Sequence, residues 1–257
     1  MHISIFSPTK NRSFTYIPIL LESILIQKLP NDWSIEWVLC DDGSDVNDYK
    51  NLQKTLANSG LKHILLRHNE SLGPSSSRND AYRACKGEYI LDLDDDDVLT
   101  ENAVHLRVKH LIETGAKWSF TNAHVISDEG ILLPNKELVQ NWDHNNKTAE
   151  ELIPMLLNNQ AWYWASTRTY KNDALYKNNE FLAWDPELIV AEDLDHWIHL
   201  TKEIGPPVHL SESTVFWREK ADSHGINGMK SGLQAKMIAR IKEKMAKLDN
   251  HHDDSDI

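Results

Sequence analysis

Apolar residues recur along the first hundred positions in short blocks of two kinds. HISIFS (2–7), IEWVLC (35–40), LKHILLR (61–67) and EYILDL (88–93) are compact runs of strand length, rich in Ile, Leu and Val. Between them, residues 15–27, about 45–58 and 75–86 carry the wider spacing of helices. Pro18 sits where a first helical turn tolerates it, Gly73-Pro74 precedes the third helix and Gly87 follows it as a C-cap. Strand–helix alternation of this kind predicts βαβ units, a parallel sheet and helices on both faces.

After Asp97 the rhythm changes. A helix over about 101–114 leads to a strand at 117–127, the turn DEG and ILLP. A helix near 148–158 precedes AWYWAST (161–167), read as an aromatic strand, and a helix at 192–204 precedes a strand at 207–217. The last segment, 231–248, places Leu233, Met237, Ile241, Met245 and Leu248 on one helical stripe with Lys236, Arg240, Lys242, Lys244 and Lys247 around it. That amphipathic helix either docks on the body or lies on a membrane surface. NHHDDSDI is expected to be a disordered tail. No repeat or linker divides the chain, so residues 1–228 are expected to form one α/β domain, with halves at 1–97 and 98–228, followed by the terminal helix and tail at 229–257.

Composition narrows the partners. The chain of 257 residues carries a formal net charge of -12, which excludes a nucleic-acid backbone as main partner. Its two cysteines, Cys40 and Cys85, provide neither a disulfide framework nor a C-x-x-C pair. The start MHISIFSPTKNR has no basic leader or cleavage site, and no apolar run reaches membrane-spanning length. A cytoplasmic protein, with peripheral membrane contact left open, is expected.

The polar residues gather where the predicted strands end. Pro8, Thr9, Lys10, Asn11 and Arg12 follow the first strand, Asp41-Asp42-Gly43-Ser44 the second, His68-Asn69-Glu70 the third, and Asp94 to Asp97 the fourth. Ligands bind beyond the carboxyl ends of strands in open α/β sheets. Lys10 and Arg12 can neutralise phosphates, Asp41 or Asp42 can accept from a base or ribose, and Ser75–Ser77 open a helix whose N–H groups favour an anion. Four adjacent carboxylates repel one another unless a cation joins them. An EF-hand starting at Asp92 would need Gly and Glu where the chain has Asp97 and Ala103, so that geometry fails. A magnesium or manganese ion shared between one or two carboxylates and substrate phosphates suits the run.

Four segments together resemble the inverting glycosyltransferases of family 2, which have the GT-A fold: SIFSPTKNR, VLCDDGSD, SLGPSSSRNDAYRACKGEYILDLDDDD, and WDPELIVAEDLDHWIHLTKEIG. The resemblance implies a mostly parallel central sheet flanked by helices, a nucleotide-sugar-binding half and an acceptor half. It places the D-x-D motif on Asp94-Asp95-Asp96, with Asp96 as direct ligand of Mn2+ or Mg2+, Asp94 beside it, and His224 near the metal and diphosphate. The family usually carries an apolar residue where this chain has Asp92. The donor nucleotide is then expected on Pro8, Thr9, Asn11, Arg12, Asp41, Asp42, Arg78, Asp94 and Asp95. Asp193, of the Glu192-Asp193 pair, becomes the catalytic base. UDP is the default carrier, and the acceptor is a hydroxyl of a carbohydrate, lipid-linked or otherwise.

Trp184 and Glu192 are the candidates for acceptor contact. Trp162, Tyr163 and Trp164 have rings that suit sugar faces, although alternating strand aromatics more often form core. Asp195 is expected on a solvated face, and His196 and His199 on the helix surface or in packing. A nucleotidyltransferase would share the sheet and the metal, but SPTKNR lacks the glycine-rich phosphate loop it needs. A catalytically silent nucleotide-sugar-binding module is the other alternative.

Overall fold

The computed structural model describes residues 1–138, 147–158, 160–161, 164–221 and 224–253; the side chains of 135, 137, 224–226 and 247–253 are outside that description. The first half runs β1 (His2–Thr9), α1 (Ile17–Leu25), β2 (Ser34–Asp41), α2 (Val46–Asn58), β3 (His63–Arg67), α3 (Pro74–Ala84) and β4 (Tyr89–Asp92). It continues with β5 (Val98–Leu99), α4 (Ala103–Thr114), β6 (Trp118–Ile126), β7 (Leu132–Leu138), α5 (Ala149–Leu157), a 3-10 turn (Ala165–Thr167) and β8 (Thr169–Lys171). A second 3-10 turn (Asn172–Leu175), β9 (Tyr176–Lys177), β10 (Glu180–Phe181), α6 (Glu192–Ile204), β11 (Val208–Arg218), α7 (His224–Lys230) and α8 (Leu233–Asp253) complete it.

One sheet of order β3-β2-β1-β4-β8-β6-β11-β5, with β7 beside β6, crosses both halves. Strands β1 to β4 pair in parallel, and β8 runs against both β4 and β6, so β6 and its parallel neighbour β11 share the direction of the first four. The sheet is therefore mostly parallel, with β8, β7 and β5 reversed. Alternation along its strands fills both faces. Ile3, Ile5, Trp37, Leu39 and Leu91 pack with α1, α2 and α4 on one side. Phe6, Val38, Cys40 and Ile90 pack with α3, α5, α6 and α8 on the other. Burial on both sides explains why these strands read as continuous apolar runs.

Three elements differ from the sequence expectations. Ala165–Thr167 is a 3-10 turn, and the short β8 after it enters the sheet instead of a strand over 161–167; Trp162 and Tyr163 lie outside the described residues. The turn frees Ser166 to bond the acidic loop, as shown below. The small hairpin β9–β10 turns at Asn178-Asn179, both at positive φ (53° and 66°), a conformation Asn tolerates. The terminal helix continues to Asp253, past the expected end at 248, and buries Ile241 and Met245 in the core. Its Lys244 pairs with Asp185 (3.3 Å) and Asp195 (2.8 Å), and Arg240 with Glu187. Asp195, 3% exposed, is thus a buried partner of α8 and not a solvated residue. Among the described residues no helix is long and apolar enough to cross a membrane.

Candidate active site

The parallel register carries the ends of β1, β2 and β4 to one edge. There Asn11, at φ 54°, ties two loops together: its N–H donates to Ser44 Oγ (2.8 Å), and its Oδ1 accepts from Asp45 N–H (2.9 Å). Gly43, at φ 72°, approaches the neighbouring loop so closely that a Cβ would sit 2.8 Å from the Glu70 carbonyl carbon. Pro8 is half-buried near the end of β1, in register with Cys40. The Arg12 guanidinium lies 5.2 Å from the Tyr16 ring centre.

Asp42 has a different occupation from the one expected. Its carboxylate accepts from His68 Nδ1 (2.8 Å), Ser71 Oγ (2.5 Å), Leu72 N–H (2.8 Å) and Gly73 N–H (3.0 Å). Against the pull of burial, these bonds hold it below its ordinary pKa. Both oxygens are saturated within the chain, so Asp42 organises the loop over residues 68–73 and has no free oxygen for a nucleobase. Asp41 Oδ2 is met by Ser44 N–H (3.3 Å) and Arg67, whereas Oδ1 is buried without a partner. Burial accordingly raises the Asp41 pKa.

The acidic run leaves β4 as a turn in which every carboxylate has a separate task. Asp92 is fully buried and paired with Arg168, with Arg78 Nε 3.8 Å from its other oxygen. Asp94 Oδ1 receives Arg78 Nη2 at 2.7 Å, and its N–H donates to Ser166 Oγ (2.9 Å). Burial and repulsion from Asp96 push Asp95 up to about 7, against a hydrogen bond from Thr9 and the field of Arg12. Asp96 pairs with Lys220, whose ammonium also stands 5.1 Å from the Tyr16 ring centre. Asp97 accepts from Ser166 Oγ (2.5 Å) and Arg218 N–H (2.8 Å), which pins the turn to the second half of the sheet.

Across this loop lies the start of α6. Ala191, at φ 60°, occupies the N-cap position and no side chain caps the helix. Neither Glu192 nor Asp193 is thus an ordinary cap. Glu192 Oε1 receives Arg78 Nη1 at 3.1 Å, and burial followed by Asp193 repulsion pushes its carboxyl up to about 7. Asp193 Oδ1 receives Arg168 Nη2 at 3.1 Å, and its side chain is 22% exposed. Two arginines therefore join the acidic loop to the acidic helix start.

Trp184 does not face this cleft. It is fully buried, stacked on His196 at 3.6 Å and edge-on to Phe6, while its backbone N–H donates to Asn79. Its ring is core, because both faces are already covered, and no acceptor reaches it. The α7 helix begins at His224, whose side chain lies outside the described residues. Sequence reasoning missed Arg168, Ser166, Lys220 and Arg218, which reach the acidic loop from positions 72 to 124 residues away. No local pattern marks them; for the three cations the signal is a charged residue bordering an apolar strand, and Ser166 has none.

Hard oxygen donors fit magnesium or manganese. Among the described residues no three Asp, Glu, His or Cys side chains form a closed cage. The acidic loop nevertheless fits an ion that takes one or two carboxylates and completes its shell from phosphates: the Asp94 and Asp96 side chains stay 30% and 19% exposed on one turn, and burial with repulsion from Asp96 raises both Asp94 and Asp95.

The mostly parallel sheet thus carries an acidic loop that faces an acidic helix start. The profile of glycosyl transferase family 2 matches residues 4–179, and the chain belongs to that family. Its sequence is 29% identical over 216 residues to the putative colanic acid biosynthesis glycosyl transferase WcaA of Escherichia coli (strain K12), covering 82% of this chain and 70% of that protein. It is 34% identical over 134 residues to an Escherichia coli chondroitin synthase, covering 52% of this chain but only 19% of the relative. The S. aureus TarS 1-349 structure in complex with UDP-GlcNAc shares the fold at TM-score 0.65 and 21% identity, over 87% of this chain and 60% of that one.

Proposed function

We propose that this glycosyltransferase is inverting and metal-assisted, moving a sugar from a nucleoside-diphosphate donor, UDP by default, to an acceptor hydroxyl. The observation that carries the proposal is the meeting of Asp94 and Glu192 on one guanidinium, Arg78, which brings the acidic loop and Asp193 into one cleft. Asp193 accepts the proton of the acceptor hydroxyl as that oxygen attacks the anomeric carbon. Its partial exposure suits a base that must reach solvent-borne substrate, and Arg168 fixes the oxygen it does not use. Single displacement inverts the anomeric centre.

Asp96 and Asp94 would hold Mg2+ or Mn2+, with His224 as a further neighbour from α7. The bound ion would offset negative charge gathering on the leaving diphosphate. Thr9, Arg12 and Asp95 are assigned to the nucleotide, with Pro8 and Asn11 shaping their loop and buried Asp41 bracing it through Ser44 N–H. Asp42 supports that subsite from behind, through the 68–73 loop. Glu192 is the remaining acceptor candidate. A cytoplasmic enzyme acting on a carbohydrate or lipid-linked acceptor fits these assignments, and the burial of Ile241 and Met245 favours α8 as a docked helix over a membrane-surface one.

Turnover tests the proposal. With Mn2+, the purified chain should release UDP from at least one of UDP-GlcNAc, UDP-glucose and UDP-galactose, and Asp193→Asn should cut kcat by about 10²–10⁴-fold while UDP still binds. Binding of UDP without turnover on any donor or acceptor would favour a silent binding module.

A further inference from the structure

Arg168 is a fully enclosed charge beside Asp193. It follows the 3-10 turn and precedes β8, with its side chain fully buried. Nη2 donates to Asp92 and to Asp193 Oδ1 (3.1 Å), Nε reaches Ala165 O at 3.4 Å, and buried Nη1 has no partner. The guanidinium also lies 5.5 Å from the ring centre of Trp197, one turn beyond Asp193 on α6. A buried arginine needed only for charge balance would be served by the fully buried Asp92. Here one nitrogen is shared with Asp193, whose side chain is 22% exposed.

We propose that Arg168 is a positioning residue for Asp193, anchored by Asp92, which holds one carboxylate oxygen inward and presents the other to the acceptor. The proposal rests on Asp193 being the base and adds the means by which it is oriented. A planar guanidinium fixes the direction as well as the distance of its partner, which a flexible ammonium does not. Asp92 makes this arrangement possible by neutralising Arg168 from the interior side. The other charged or titratable groups whose fields meet at Asp193 are Arg78, Glu192, Asp94 and Tyr170. Arg78 serves Asp94 and Glu192, so Arg168 is the cation in hydrogen-bond contact with Asp193 among the described residues.

Arg168→Gln alone would leave fully buried Asp92 with only Arg78 Nε, 3.8 Å away, a change severe enough to destabilise the chain. The test therefore pairs it with Asp92→Asn, which removes both charges. UDP release from UDP-GlcNAc, UDP-glucose and UDP-galactose is followed with Mn2+, alongside UDP calorimetry and thermal melting. The double variant should keep its melting temperature, donor KM and UDP affinity while kcat falls about ten- to hundredfold, the scale of a misplaced catalytic group. Added to Asp193→Asn, the same pair should cost nothing further, because its effect runs through Asp193. Wild-type kcat in the double variant, or an equal additional loss in the Asp193→Asn background, would overturn the proposal. So would a parallel fall of melting temperature, UDP affinity and kcat. Turnover retained by Asp193→Asn itself would instead overturn the base assignment, whatever Arg168 does.

Discussion

Arg78 Nη1 lies 3.1 Å from Glu192 Oε1, joining α3 to the first turn of α6. The same guanidinium holds Asp94 at 2.7 Å, so one side chain spans both acidic segments. Removing it leaves Asp94 and Glu192 without their shared cation, beside Asp92 and Asp193 on Arg168. Arg78→Met should lower unfolding free energy by about 3–5 kcal/mol, the usual cost of breaking a buried ion pair from one side. Arg78→Lys should recover only part, since one ammonium cannot reproduce the fork. Urea denaturation of the three proteins checks the order.

Lys220 occupies the carboxylate of Asp96, the residue assigned to the metal. A divalent ion arriving there must displace that ammonium or share Asp96 with it. Lys220→Met should therefore tighten Mn2+ binding by roughly tenfold, equivalent to about 1.4 kcal/mol. Calorimetric titration of Mn2+ in the presence of UDP measures it. Unchanged affinity would mean that Lys220 moves freely with the ion.

Trp184 is a core residue in this fold, enclosed by Phe6, Phe181 and His196. Trp184→Ala should cost about 3–5 kcal/mol, as large-to-small substitutions at packed aromatic sites do. A residue that only touched acceptor would instead change KM for acceptor with little effect on stability. Chemical denaturation and acceptor kinetics on one variant separate the two.

Glu36, fully enclosed at the opposite end of the sheet, gives a pH signature. Burial alone would raise its carboxyl, but Ser4, Lys86 N–H, Lys62 and His2 bring it from 4.5 down to about 2. A depressed pKa contributes stability above the unfolded value, and that contribution fades as pH falls from 4.5 toward 2. Glu36→Gln should therefore destabilise the chain at pH 7, and the gap from wild type should narrow as pH is lowered to 3. Melting curves at several pH values show whether it does.

The first four strands and their helices were legible because both sheet faces are buried, so each strand is an unbroken apolar run with turn residues at its ends. The acidic loop was legible for a related reason: four consecutive carboxylates after such a run need a cation. The roles within the loop were not. Asp42 is saturated by donors from residues 68 to 73, and nothing in DDGS announces that. Ser166 and Arg168 reach the site only because the chain makes a 3-10 turn where AWYWAST suggests a strand. Asp195 looked solvated at helical spacing from Glu192, but Lys244 from α8 covers it. These are long-range events, fixed by which strand neighbours which.

The central claim is tested most directly by crystals of the chain grown with UDP and manganese, with the metal located by anomalous scattering. The account predicts a manganese peak bridging the UDP diphosphate and the carboxylates of Asp96 and Asp94, with Asp193 facing the same cleft. UDP bound with its manganese away from these carboxylates, or Asp193 turned from the diphosphate end, would contradict it.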